Sequence, residues 1–332
     1  MSKSKKVFVT GGAGYVGSAL VPKLLGKGYK VKVLDLYIYG EHVLDAVKDH
    51  PNLIQVKGDL RTKEVVRKEL KGFDTVIHLA CISNDPSFEL NPTLGKSINY
   101  DAFTDLVEIS LDESVKNFIY ASSSSVYGIK DEAEVTEDLS LEPLTDYSKY
   151  KAMCETVLMN AAADDFIVTV IRPSTVCGYS PRLRLDLTVN ILTNHAINKG
   201  EITVFGGEQK RPNLHIEDMI NLYLYLLEQP DEKIHKKIWN VGYHNYKVKD
   251  IAEIVKEIID PKLPIKTVPT DDNRSYHVSS RKIADDIGFV AKHSIEEAVK
   301  DLKIAFNQGK IPDSMDDIRY FNIKMMQSIN LQ

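Results

Sequence analysis

Cysteine is scarce in this chain of 332 residues: Cys81, Cys154 and Cys177 are odd in number and far apart. That pattern fits reduced thiols better than a disulfide framework or a metal knuckle and predicts a cytoplasmic protein. Excess positive charge is also lacking. At a formal net charge of −5 there is no basic field for nucleic acid, so any phosphate contact must come from individually placed arginines. No apolar run approaches a membrane span, and the basic opening residues lead straight into a strand rather than into the apolar core of a secretory leader. Internal repeats, low-complexity stretches and flexible linkers are missing. No grouping of His, Cys and acidic residues has ligand spacing, which predicts no metal site. What remains, 43% hydrophobic and 27% charged, is an ordinary globular composition with enough chain for a full core.

The most informative stretch runs from Lys6 to Gly17, followed by an apolar helical spacing that reaches Gly26. It reads as strand, glycine turn, helix. Gly11 and Gly12 are expected to let the backbone turn with torsions a side chain would forbid. Gly14 would let a pyrophosphate approach the main chain at a helix end where free N–H groups favour negative charge, and Gly17 would let the helix lie on its strand. A second strand, Val31 to Asp35, ends in an acid 18 positions after Gly17. A carboxylate there can accept both ribose hydroxyls of an adenosine. No arginine follows Asp35 to hold a 2′-phosphate, so the expected cofactor is NAD rather than NADP.

Further strands are expected at Leu53–Asp59, Phe73–Ala80, Asn117–Ser122 and Phe166–Ile171, with Arg172-Pro173 closing the last. Helical spacing covers Thr62 to Leu70 behind a threonine cap, a long segment from Asn91 or Thr93 to Asp112, and about Asp146 to Ala163. This alternation predicts an α/β fold, a doubly wound parallel Rossmann sheet whose ligands lie beyond the carboxyl ends of the strands. Beyond Pro173 the pattern loosens into a turn-rich basic run, Gly178 to Asp186, then helices at Leu187–Lys199, Asp218–Glu228 and Val248–Ile259 and a short strand at Lys237–Gly242. The expected organisation is a dinucleotide-binding domain over 1–173, with 212–245 returning to it, and a smaller interleaved substrate domain over 174–211 and 246–332.

The fifth strand ends in Ser122-Ser-Ser-Ser-Val-Tyr-Gly128, and Tyr147-Ser-Lys-Tyr-Lys151 sets a tyrosine and a lysine on one helix face. The spacing recurs at Tyr243…Lys247 and Tyr320…Lys324, which read as solvated surface pairs. Only Tyr147 opens a helix behind the dinucleotide strands. A free phenol has a pKa of about 10 and is a poor base at neutral pH. A neighbouring lysine and an oxidised nicotinamide would favour the phenolate, and a serine hydroxyl would orient the substrate's alcohol or carbonyl.

Taken together, these residues resemble the extended short-chain dehydrogenase/reductases, specifically the NAD-dependent nucleotide-sugar epimerase/dehydratase group, over nearly the whole chain. Thr10-Gly-Gly-Ala-Gly-Tyr-Val-Gly17 matches the family's cofactor turn, Gly58-Asp59-Leu60 its adenine contact, and His78-Leu79-Ala80 the floor under the cofactor. Cys81 stands where a small Ala or Gly is usual. The resemblance implies Ser123 as the catalytic hydroxyl, Tyr147 as the base and Lys151 on the nicotinamide ribose. It extends the cofactor set to Tyr15, Val16, Leu36, Leu79, Ala80, Cys81, Asn99, Ala121 and Pro173 beside Gly11, Gly14, Gly17, Asp35, Asp59 and Leu60. For the nucleotide-sugar substrate it implies Ser83, Asn84, Ser123, Ser124, Thr175, Asn190, Arg211 and Arg274. Arg182 and Arg184 sit in a Ser-Pro-Arg-Leu-Arg-Leu-Asp run that resembles one subgroup, including enzymes of surface-polysaccharide pathways. They read equally as substrate contacts and as exposed charges or salt-bridge partners. His78 reads as a structural histidine.

One departure is informative. The family's 4,6-dehydratases place Asp-Glu directly after the catalytic hydroxyl residue, where this chain has Ser124-Ser125. Elimination needs an acid and a base that are missing here, so dehydration is disfavoured. The resemblance implies an NAD-dependent nucleotide-sugar 4-epimerase, with a 4-oxidase or 4-keto reductase using the same residues as the alternative and a non-catalytic NAD sensor or scaffold as a minor one. It also implies a homodimer built on the helices after strands four and five, to which Ala152, Val157 and Met159 are suited, although packing within one chain explains them equally.

Overall fold

Because the central strands are apolar on both faces, their sheet has to be covered on both sides. A computed structural model describes residues 6–270 and 277–329. Its strands are β1 (Lys6–Thr10), β2 (Lys30–Asp35), β3 (Leu53–Lys57), β4 (Thr75–His78), β5 (Asn117–Ala121), β6 (Ile167–Pro173), β7 (Thr175–Cys177), β8 (Ile202–Phe205), β9 (Lys210–His215), β10 (Lys237–Val241), β11 (His244–Lys247) and β12 (Ile265–Val268). The helices of the first half are α1 (Tyr15–Gly26), α2 (Lys63–Leu70), α3 (Asp85–Glu89), α4 (Pro92–Lys96), α5 (Ala102–Asp112) and α6 (Asp146–Ala161). Those of the second half are α7 (Thr188–Asn198), α8 (Ile216–Glu228), α9 (Asp231–Ile234), α10 (Val248–Ile259), α11 (Arg281–Ile287), α12 (Ile295–Asn307) and α13 (Asn322–Ser328).

Seven strands form one parallel sheet in the order β10-β6-β5-β4-β1-β2-β3. The doubly wound α/β expectation therefore holds. Val7, Val9, Ile77 and Ile119 point into the layer shared with α1 and α8, while Phe8, Val76, Phe118 and Tyr120 point into the layer shared with α2, α5 and α6. The order reverses between β1 and β4, which opens a crevice at their carboxyl ends. A third core, around Val189, Leu192, Ile251, Val255 and Val299, packs α7, α10 and α12 beside the small sheets β11-β9-β7 and β12-β8.

The segment expected as one helix up to Asp112 is broken. Asn91 caps α4 by accepting the Leu94 N–H at 3.0 Å, and a π turn at Ser97–Asp101 separates α4 from α5. The turn contains Asn99, whose side chain accepts from Ile82 N at 2.8 Å and donates to Ile82 O at 2.9 Å. Helical π turns commonly mark such locally constrained sites. Thr62 sits at the start of α2 without a side-chain capping bond, and α6 ends at Ala161, two residues early.

Arg172, near the end of β6, is buried with Glu155 of α6, both side chains 4% exposed. The guanidinium reaches the carboxylate through Nε at 3.0 Å and Nη2 at 2.6 Å, and Glu155 also accepts from the Ser122 hydroxyl. Nη1 of Arg172 donates to Tyr127 Oη at 2.6 Å, which donates to Asn240 Oδ1 of β10 at 2.7 Å. Removing one partner of such a pair leaves a buried charge alone. Glu155→Ala should therefore lower unfolding free energy in urea by about 3–5 kcal/mol, and an unchanged midpoint would show that the pair contributes nothing.

Candidate active site

The site begins where β1 runs into its glycines. Gly11 has φ +74°, and a Cβ there would lie 2.5 Å from Ala80 N; one on Gly17 would lie 2.4 Å from Gly11 O. These two positions press the start of α1 against the ends of β1 and β4. Gly12 corrects the expectation of two turning glycines. Its φ is not positive, and a Cβ would strike the Val33 side chain at 2.7 Å, so its smallness serves packing. Gly14 is the N-cap and offers no side chain to cap the helix, which leaves the first amides for an anion.

At the end of β2, Asp35 accepts from Ala13 N at 2.9 Å and Tyr37 N at 2.8 Å. Burial raises its carboxyl above the usual range, against those two N–H groups and the charge of Arg182. Asp59 differs. Burial raises it, but the Arg61 guanidinium, bonded at 2.6 Å and 3.0 Å, brings it below its ordinary value.

A cavity of about 560 Å³ runs along these strand ends. Its walls include Gly11, Gly14, Tyr15, Val16, Gly17, Asp35, Leu36, Asp59, Leu60, Leu79, Ala80, Cys81, Ala121, Lys151 and Pro173 from the expected cofactor set. From the expected substrate set they include Ser83, Asn84, Ser123, Ser124, Thr175, Arg182, Arg184 and Arg211. Tyr147 lines it too. Asn99 and Asn190 do not. Asn99 is spent on Ile82, and Asn190, wholly buried, accepts from Gly178 N at 3.0 Å and donates to Arg184 O at 2.8 Å, so both shape the walls from behind. Arg274 lies outside the described residues.

Tyr147 opens α6 just after Thr145, which forms a reciprocal cap with Ser148. Lys151, one turn on, is buried. Its ammonium donates to Ala121 O at 2.7 Å and stands 5.8 Å from the centre of the Tyr147 ring. Burial raises the Tyr147 phenol above its ordinary value, with Cys81 and Asp85 adding to it. The opposing effects are the charge of Arg184 and the hydrogen bond of Ser123. The phenol thus stands above the range in which it serves as a base at neutral pH, and further positive charge is needed to bring it down. Ser123 Oγ lies 2.9 Å from Ser125 Oγ, and Ser124 is buried at the wall. His78 is buried beneath, its Nδ1 2.7 Å from Thr10 Oγ1. Burial, together with the Lys151 charge, lowers its pKa to about 3, so it is neutral.

The exposed-charge reading of Arg182 and Arg184 does not survive, since they are 3% and 8% exposed. Arg184 donates to Asp186 at 2.9 Å and to Ser83 Oγ at 3.1 Å, and Asn322 joins both by donating N–H to Asp186 at 2.9 Å and Nδ2–H to Ser83 Oγ at 2.8 Å. Asn322, Tyr39 and Asp186 line the cavity but had no expected role. Asp186 was within reach of the sequence, in the quoted basic run. Asn322, from α13, carried no signal.

The sequence profile of the NAD dependent epimerase/dehydratase family matches residues 7–242. The chain belongs to this family. It is 29% identical to UDP-glucose 4-epimerase of Lactobacillus helveticus over 310 residues, 87% of this chain and 92% of that one. It is also 29% identical to UDP-glucuronic acid decarboxylase 1 of Arabidopsis thaliana over 317 residues, 90% and 68% of the two chains. Among solved structures, dTDP-glucose 4,6-dehydratase of Streptomyces venezuelae with NAD bound superposes with a TM-score of 0.83 at 21% identity, covering 94% of this chain and 100% of that one. Members of the family are NAD-dependent enzymes, and the residues here fit that cofactor. The glycine cradle would be filled by any Cβ, the helix start is uncapped, and Asp35 ends the second strand. Among the described residues no helix is long and apolar enough to cross a membrane, and no three His, Cys, Asp or Glu side chains group as a metal site.

His78 gives the site a pH signature. Its folded-state pKa of about 3 lies below the ordinary value of about 6.5, so the folded chain binds fewer protons than the unfolded one. Its contribution is intact above pH 6.5 and is lost progressively as pH falls toward 3. His78→Gln should accordingly lose less unfolding free energy than the parent between pH 7 and pH 4.5. Parallel losses in urea titrations would assign the acid sensitivity to other groups.

Proposed function

We propose that this chain is a nucleotide-sugar epimerase that inverts a hexose at C4 through transient oxidation. The observation that carries the reading is the convergence of Ser123, Tyr147 and Lys151 on one cavity with the glycine cradle, with hydroxyls rather than acids at positions 124 and 125. When bound, NAD supplies a hydride acceptor and donor. Tyr147 takes the proton of the sugar's 4-hydroxyl and later returns it to the carbonyl oxygen. Ser123, whose hydroxyl acts to lower the phenol's pKa, fixes the substrate oxygen within reach, and Lys151, anchored on Ala121 O, holds the nicotinamide ribose and keeps a positive charge beside the ring. Arg211, Arg184 and Ser83 belong to the substrate side; Arg274, which the resemblance implies as a further substrate contact, lies outside the described residues.

The same reading divides the chain into a dinucleotide-binding part, 1–173 with 212–245, and a substrate part, 174–211 with 246–332; the pairing of β10 with β6 supports it. Three free thiols support a cytoplasmic setting. A homodimer through α5 and α6 is supported by the exposure of Leu111 and Met153 on those helices, while Val157 and Met159 already pack against the chain's own core. Sedimentation is expected to show a dimer at micromolar concentration, and a monomer there would remove it.

Full-length protein incubated with UDP- and GDP-hexoses without added cofactor should yield the 4-epimer of at least one, with no lasting absorbance at 340 nm. Accumulated NADH would favour the 4-oxidase reading, and no product from any sugar would count against both. Tyr147→Phe should lose roughly 10²–10⁴-fold in turnover. Since the phenol is held above its ordinary value, kcat/KM should rise with pH between 6 and 9. A flat profile would remove Tyr147 as the base.

A further inference from the structure

Arg182 is a buried cation without an ion pair of its own: the charge of Asp186 reaches it, but that carboxylate is bonded to Arg184. Its side chain donates to Asn322 Oδ1, and its guanidinium lies 3.5 Å from the Tyr39 ring centre, both partners being neutral. Nε has no partner, and among the described residues no carboxylate lies within ion-pair distance. Its neighbour Arg184 is neutralised by Asp186 at 2.9 Å. A lone guanidinium closed off from water is costly, and a fold retains one where an anion comes to meet it.

The backbone fixes where that anion lies. Arg182 N donates to Ser18 Oγ at 3.0 Å, Ser18 Oγ lies 2.8 Å from Ser180 Oγ, Ser180 Oγ donates to Tyr15 O at 2.7 Å, and Tyr15 Oη donates to Gly178 O at 2.6 Å. The run 178–182 is thereby clamped onto the first turn of α1, the helix whose uncapped start already favours negative charge. The charge of Arg182 is felt at Asp35, on the adenosine side of the cavity, whereas that of Arg184 is felt at Tyr147. Arg182 thus lines the cavity from the run clamped on α1, with Asp35 feeling its charge and Asn322 bonded to it.

We infer that Arg182 is a cofactor residue rather than a substrate residue, and that it clamps the dinucleotide's pyrophosphate against the start of α1 from the opposite wall. The inference rests on the dinucleotide site alone and is independent of the reaction at the sugar. Asn322 and Tyr39 hold the guanidinium in place, so α13 contributes to cofactor retention through one hydrogen bond.

The test is calorimetric titration of full-length protein and of Arg182→Gln with ADP-ribose, which carries the pyrophosphate, and with adenosine, which does not. Loss of one charge-assisted contact predicts ADP-ribose binding weakened about tenfold or more, with adenosine binding within about twofold of the parent. Adenosine binding also reports that the variant is folded. Arg182→Lys, which keeps the charge, should recover part of the loss, and the salt dependence of ADP-ribose binding should be shallower in Arg182→Gln. Unchanged ADP-ribose affinity, or equal losses for both ligands, would overturn the assignment. So would a variant that binds ADP-ribose normally but loses UDP-glucuronate relative to UDP-glucose, since the charge would then serve an acidic sugar.

Discussion

The buried pair Glu155–Arg172 is the constraint on which the reactive end of the cavity depends. Tyr147, Lys151 and Glu155 follow one another at four-residue spacing and so share one face of α6. Fixing Glu155 against Arg172 at the end of β6 fixes the rotation of that helix about its axis. Glu155 also accepts from Ser122, and Lys151 donates to Ala121 O, so the end of β5 is tied to the same face at two points. Tyr127 and Asn240 carry the network on to β10. A hydroxyl-bearing turn and a helix from opposite sides of a strand end are thereby held in one register, and two functional groups that must meet to within hydrogen-bond reach cannot tolerate less.

The cavity's two walls work by opposite means. The sheet side brings backbone close by removing side chains: Gly11 and Gly17 leave room only for main chain, and the positive end of α1 is exposed by the absence of a cap. The facing side brings side chains that are buried and largely cross-linked, Arg184 with Asp186, Ser83 and Asn322. Between them Tyr147 is poised by opposition, with burial holding the proton on and nearby positive charge pulling it off. A phenol set this way keeps its proton at neutral pH, and as the proposed base it would need further positive charge beside it.

Much of this was legible in the chain because it is local. Strand, glycine turn, helix and terminal acid lie within the first 35 residues, and the alternation that follows specifies a parallel sheet through hydrophobic periodicity. The Tyr147 and Lys151 pair was separable from its two look-alikes only by that surrounding order. What was not legible is long-range. Whether Gly12 turns or packs depends on Val33 of the next strand, and whether an arginine at 182 is exposed depends on Ser18, Tyr39 and Asn322. Asn99 and Asn190 have residue types suited to ligand contact, yet both satisfy buried backbone instead, a choice that composition and spacing do not encode. The π turn at Ser97–Asp101 includes the asparagine that serves Ile82, and it too was not legible.

The family frame is shared by relatives named for epimerisation, decarboxylation and dehydration, so the frame does not choose the reaction; the groups around the phenol do. In this chain the hydroxyls of Ser123 and Ser125 are bonded to each other, and Asp85, whose charge is felt at Tyr147, accepts the hydroxyl of Thr145 at the start of α6. One oxygen of Asp85 is thus engaged with the start of α6, and the proposed role of Tyr147, removal and return of a proton at one carbon, needs no second acid or base as elimination across two carbons would. An epimerase must further accept both configurations of that carbon in one cavity. Its recognition therefore has to lie in parts of the ligand that the reaction leaves unchanged. In this cavity the cross-linked Arg184, Asp186, Ser83 and Asn322 could supply such recognition, through contacts that a change at one sugar carbon need not disturb.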